Sequence, residues 1–397
     1  MSVVAGLNPH PAATLLCLVS LAASGCAGGS AFDGAVGSPA SEAQEYRVFV
    51  ANESSDIVNR VVFDAVRGAR VEREISIGIM PADTDGPHGV AVSPDGQFLY
   101  VTVAHGTPDG WLWKFSTAAD SVVDRTTLGR FPATIATTPD GQVLVVANFN
   151  LHGDPVRSDL SIVYSPDLRE LARIPTCVTP HGSRINASGR LHYSACLRSD
   201  QVVETSLTSY AISRRFSVRP GDERILDLDD DGVPAGRVET AAACGPTWVT
   251  PGSGPRAERF VYIACNAAGQ VLELDVLDWV VTRRFDAPGG PYNMAITPDG
   301  SRLVVTLRGG QAVMVLDLES GDLLARAATS QTFTHGVVVT PDGRYAMVTN
   351  EAMGSVRGTL DVFDLRSFER VASVELVHQP GGIDFWRVDP IDASQAR

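Results

Sequence analysis

The sequence has no cluster or stripe of Lys and Arg, no Cys-x-x-Cys pair, and few long helix-forming runs. Each absence excludes something. With 46 acidic residues against 32 basic and a net charge of −14, the chain lacks the footprint of a nucleic-acid binder or of a protein held on an anionic membrane surface. The apolar run at residues 12–23 (AATLLCLVSLAA) is about a dozen residues long, short of the ~20 that span a bilayer. No Gly-x-Ser-x-Gly, phosphate loop, HExxH or dinucleotide fingerprint occurs. Compact zinc sites and haem attachment are likewise without their Cys-x-x-Cys and Cys-x-x-Cys-His spacings.

What is present is glycine, proline and repetition. The chain has 37 Gly and 24 Pro in 397 residues, a composition suited to strands and turns, and its 44% hydrophobic content is ample for a large core. Residues 86–103 read GPHGVAVSPDGQFLYVTV, and the pattern returns at 131–148, 290–307 and 333–350. Each copy is two apolar runs joined by Pro-Asp-Gly. Proline sets φ at the first turn position and glycine takes the position needing φ > 0. Such a unit is a β-hairpin.

Degenerate copies stand at 178–196 and 244–265. Residues 379–386 hold a first hairpin strand alone, and 46–52 a second strand alone. One register position recurs at His88, Ala133, His181, Thr247, Tyr292, His335 and Gly381. Five of its six intervals lie between 43 and 48 residues, and the sixth is 66. The period of a propeller blade is ~40–45 residues in four strands. The expected fold is therefore all-β: a seven-bladed β-propeller of four-stranded blades over 46–397, with a top-face insertion at 219–243. The last blade is closed by an inner strand from the C-terminus and three strands from the N-terminus, which leaves no open seam.

The signature Tyr345-Ala-Met-Val-Thr-Asn350, the partial copy Tyr100-Val-Thr102, the PDG turns and the run VFDLRSFERVASV at 362–374 resemble the YVTN (YncE-like) seven-bladed propeller family, a WD40-like architecture. The resemblance covers residues 46 to about 386. It implies the fold; the wider group includes lactonase-like, dehydrogenase-like and surface-layer proteins, so it implies no single activity.

Residues 1–25 read as a signal peptide. Ala23-Ser24-Gly25 leads into Cys26, which resembles a bacterial lipoprotein signal and implies lipidation of Cys26; ordinary signal cleavage is the alternative. Residues 26–45, rich in Gly, Ala and Ser, read as a flexible tether. The expected location is the cell envelope, on the periplasmic or surface side of the outer membrane, with membrane contact only through the lipid.

Four cysteines remain, in two adjacent blades. One of each pair precedes an inner strand and the other ends the second strand, places that face each other in an antiparallel hairpin. The pairs Cys177–Cys196 and Cys244–Cys265 are the expected disulfides, at home in an exported chain.

Strand direction puts the long, varied loops on one rim, called the top, and the uniform PDG turns at the bottom; irregular loops on a rigid scaffold are where binding is expected. His88, His181 and His335 share the register at the top of inner strands, where Tyr292, Asn293, Arg184 and Trp248 also lie. Three readings stand open for the histidines: fillers of a repeat position, metal ligands, or parts of a solvated polar cup in which the rings need not touch. Asp227, Asp229 and Asp231 give the D-x-D-x-D-G start of a calcium loop, but Glu239 falls one residue late for the closing acid, and a solvated acidic loop is the alternative. The expected function is a monomeric, lipid-anchored propeller that binds a small polar molecule or an envelope protein through its top face, without catalysis. The alternative is a lactonase-like hydrolase or a redox enzyme at the channel mouth.

Overall fold

The computed structural model describes residues 44–78, 84–105, 109–152, 154, 156–230 and 242–391. The signal segment, Cys26, most of the tether, Asp231 and most of the later insertion lie outside the described residues.

Seven antiparallel sheets form the molecule, and each has one strand on the central axis. These inner strands are Pro87–Val92, Pro132–Thr137, Pro180–Ile185, Pro246–Pro251, Pro291–Ile296, Thr334–Val339 and Pro380–Pro390. Each packs on the next and the seventh returns to the first, so the ring is closed. In the seventh blade the C-terminal strand Pro380–Pro390 pairs with Gln44–Asn52, with Val48 opposite Phe385 and Val50 opposite Ile383; Ile57–Asp64 and Gly68–Ser76 complete the sheet. Tyr345 of the sixth blade packs edge to face on Tyr46 and Phe63 of the seventh, with ring centroids 5.4 and 4.9 Å apart.

The repeat builds the same local structure each time. In the Ser/Thr-Pro-Asp-Gly turns the aspartate accepts the hydroxyl two residues earlier and the amide two residues later, as Asp95 does from Ser93 (2.5 Å) and Gln97 (3.0 Å), and Asp342 from Thr340 (2.5 Å) and Arg344 (3.1 Å). The threonine of the YVTN signature ties neighbouring blades together. Thr349 Oγ1 accepts the amide of Gly336 at 2.8 Å and donates to the carbonyl of Gly381, in the next blade, at 2.7 Å. Thr102 does the same between Gly89 and Ala133, and Thr306 between Asn293 and His335. Those amides are free for the hydroxyl because the pairing is interrupted just after the top of each inner strand, as between Pro87 and Val90.

Both disulfides form as expected, Cys177–Cys196 and Cys244–Cys265. The described start of the 219–243 insertion folds back as Arg224–Leu226, a fifth strand on the outer edge of the third blade. Pairing with Ala211–Ser217 gives its backbone the hydrogen bonds a free loop would lack.

Candidate functional site

The residue before every inner strand has φ between +51° and +74°: Gly86, Phe131, Thr179, Gly245, Gly290, Phe333 and Gln379. Four of them are not glycine, which makes this a strained and strictly repeated corner. The carbonyl at each corner accepts the amide of a residue just beyond the second strand, at 2.7–3.1 Å. The result is a ring of seven equivalent positions around the mouth: Glu53, Ala104, Phe149, Leu197, Asn266, Arg308 and Glu351. Three of the seven are charged.

Beneath this rim the channel is filled. His88 lies 6.0 Å from His181 and 6.1 Å from His335, centroid to centroid, all edge to face. Phe149 packs on His181 at 4.4 Å, Tyr292 on His335 at 4.7 Å and Phe131 on His88 at 5.7 Å, while Trp248 touches His181, Tyr292 and His335. The open, solvated cup is thus not what the fold makes: the three histidines are buried and their rings touch. The cause lies in the His-Gly pairs. A β-carbon on Gly89 would stand 2.2 Å from the carbonyl oxygen of Ala133, and one on Gly336 would stand 2.4 Å from that of Gly381. Glycine lets adjacent inner strands close on each other at the top, and the channel narrows until the rings meet.

The histidines also bridge blades. His181 Nδ1 donates to the carbonyl of Thr247 at 2.9 Å, and the rings of His88 and His335 lie against the carbonyls of Ala133 and Gly381. Burial pushes His181 down to about 3 and holds His88 and His335 below the usual imidazole range, so the plug is neutral. Asn293 turns its side-chain oxygen to the amide of Met294 (2.7 Å). Among the described residues, no group of three or more His, Cys, Asp or Glu side chains is placed to share a metal ion. Asp227 and Asp229 are exposed, and the amide of Asp230 closes a turn on the carbonyl of Asp227 at 3.1 Å. Arg184 stands below the plug, stacked on Trp248 with its guanidinium carbon 5.0 Å from the ring. A cavity of about 30 Å³, lined in part by His88, Arg184, Trp248, Asn293 and His335, separates the two levels and has room for one or two waters.

Above the plug stand Glu53, Arg308 and Glu351, which the repeat pattern did not single out, beside the top-loop histidines His105 and His152. Arg308 pairs with Glu351 in the next blade, and the other carboxylate oxygen of Glu351 is 3.5 Å from His335 Nε2. Burial raises Glu351 to about 7, with Arg308 opposing the shift. The Nε of Arg308 is buried without a partner, and its guanidinium lies over Tyr292 and Phe333 at 5.1 and 5.4 Å. On the other side Glu53 pairs with His105 (3.1 Å) and accepts from Gln379 (3.0 Å). Burial pushes Glu53 up, but its interactions with the His88 and His105 imidazoles outweigh it and the net shift is down. His152 packs on His105 and Phe131. The sequence does carry a signal for this set: Glu53, Arg308 and Glu351 each directly follow a second strand of the repeat.

No family model and no curated protein matches the chain. Among solved structures it is similar to dihydro-heme d1 dehydrogenase NirN in complex with DHE, with TM-score 0.57 and 17% identity over 85% of this chain and 74% of that one. It is also similar to a putative 6-phosphogluconolactonase from Bacteroides fragilis, with TM-score 0.62 and 16% identity over 88% of this chain and 99% of that one. At these identities the likeness is one of fold: the chain is a seven-bladed β-propeller.

Proposed function

We propose that the protein is an exported, lipid-anchored binding propeller whose top mouth takes a small hydroxylated ring molecule, such as a sugar or a sugar lactone. The observation that carries this reading is the rim itself: Glu53–His105 on one side and Arg308–Glu351 on the other, above a floor of Tyr292, Phe131 and His88. Carboxylates accept hydroxyl donors, Arg308 and His105 donate, and aromatic faces carry the apolar face of a ring. The two disulfides fit an extracytoplasmic compartment, and Cys26 is the residue for the lipid.

Calorimetric titration with D-glucose, D-gluconate and glucono-1,5-lactone tests the reading. A saturable heat with at least one of them, lost in Arg308→Met, supports it; no heat with any, or a heat unchanged in Arg308→Met, contradicts it.

A second reading rests on Glu351. A carboxyl raised to about 7 is suited to exchange protons near neutral pH, and a lactonase would need such a group. Lactone opening faster than the buffer blank, rising with pH through about 7 and absent in Glu351→Gln, would convert the binding site into an active site.

A further inference from the structure

Below the plug the channel opens again. Inner strands line a cavity of about 370 Å³ there, within the ~300–1,000 Å³ usual for small-molecule sites. Ile296, Val338, Val339 and Phe385 are only half-buried although they sit on the innermost strands, so the cavity communicates with solvent at the bottom, where the PDG turns lie. The walls are mainly aliphatic, with Val90, Ile135 and Ile383 above.

Two charged groups face this space, Arg184 and Asp384. Arg184 donates from one guanidinium nitrogen to the carbonyl of Ser183 (2.9 Å) and stacks on Trp248. Among the described residues it makes no ion pair, and most of its five donors have no protein acceptor. Asp384 is committed elsewhere: it accepts the amides of Val92 (2.7 Å) and Phe385 (2.9 Å). A cation in an aliphatic channel, with no carboxylate in contact, is a costly arrangement that an anion would relieve.

We propose that the lower channel is a second binding site, for a small monoanionic amphiphile whose head pairs with Arg184 and whose aliphatic tail lies along the valine and isoleucine walls. A cation would be repelled by Arg184, a neutral polar molecule would be desolvated against aliphatic walls, and a dianion would meet the carboxylate of Asp384. The site is distinct from the top mouth and does not depend on what binds there.

Asp384 makes the affinity pH-dependent. Burial raises it to about 6, so acidification removes its charge and leaves Arg184 unopposed. The other titratable groups facing Arg184 stay neutral: burial holds His192 at about 3 and keeps His88 and His335, across the small upper cavity, below the usual imidazole range.

The test is titration of the full chain with octyl sulfate, below its micellar concentration, beside octan-1-ol. Octyl sulfate is expected to bind saturably and at least about tenfold more tightly than the alcohol, the effect of one charge-assisted hydrogen bond. Arg184→Met should erase that difference. Should that variant fail to fold, two others decide: Val338→Phe should fill the cavity and abolish binding at an unchanged melting temperature, and Asp384→Asn should give at pH 7 the tighter binding the native chain reaches below pH 6. Equal affinity for sulfate and alcohol, unaltered binding in Arg184→Met or Val338→Phe, or no saturable binding would overturn the proposal.

Discussion

Glu53 Oε1 lies 3.1 Å from His105 Nε2, joining the last blade to the first across the closure of the ring. The hydrogen bond to Glu53 is the largest influence on His105 and raises it above the ordinary imidazole value. The pair's contribution to stability is therefore fully present below about pH 6.5 and is lost as pH rises through the folded value. Histidine NMR should place the His105 midpoint above 6.5, and Glu53→Gln should bring it down. A His105 midpoint indifferent to that substitution would mean the pair does not form.

The closure itself makes a stronger demand. Truncation after Gln379 removes Pro380–Pro390, the innermost strand of the seventh blade, and exposes the edge of Gln44–Asn52. It also deprives Thr349 of the Gly381 carbonyl. The truncated chain should aggregate or melt far below the full chain in light-scattering and thermal scans. The milder Thr349→Val should cost about 1–3 kcal/mol, because it leaves the amide of Gly336 buried and unpaired.

The disulfides close loops of 19 and 21 residues, each worth ~3 kcal/mol in the chain-entropy account. Non-reducing peptide maps should show Cys177 with Cys196 and Cys244 with Cys265. A chain carrying Cys196→Ala and Cys265→Ala should melt lower and keep its β-sheet circular dichroism.

Lys114 is the only lysine in the sequence. It is buried, donates to the carbonyls of Ser165 and Pro166 in the next blade at 2.9 and 3.0 Å, and sits 4.1 Å from the Phe98 ring centre. Amine-reactive reagents should therefore modify its side chain only on unfolding, and Lys114→Met should destabilise by about 1–3 kcal/mol through the two carbonyls left unpaired. Rapid labelling of the native chain, read by mass spectrometry, would contradict this placement.

The blade count, the closure and both disulfides were legible in the sequence because each is written in short, repeated local patterns: the PDG turn, the register position and the cysteine placement. The state of the channel mouth was not. Whether His88, His181 and His335 stand apart or touch depends on how closely Gly89 and Gly336 let neighbouring strands approach, and on Phe131 and Phe149 filling what remains. Neither quantity is contained in a strand pattern. Glu53, Arg308 and Glu351 look like ordinary solvated residues after a strand until the ring brings them to one rim. The fifth strand, Arg224–Leu226, is too short to have a period of its own.

We propose that the top mouth, not the plug beneath it, is where a polar ligand is held. Crystals of the full chain soaked with a set of small polyhydroxylated rings and their aldonates test this most directly. Bound molecules are expected to concentrate at the rim, with hydroxyls on Glu53 or Glu351 and a contact to the Arg308 guanidinium. Bound molecules found only elsewhere on the surface, with the rim bare across the set, would contradict it.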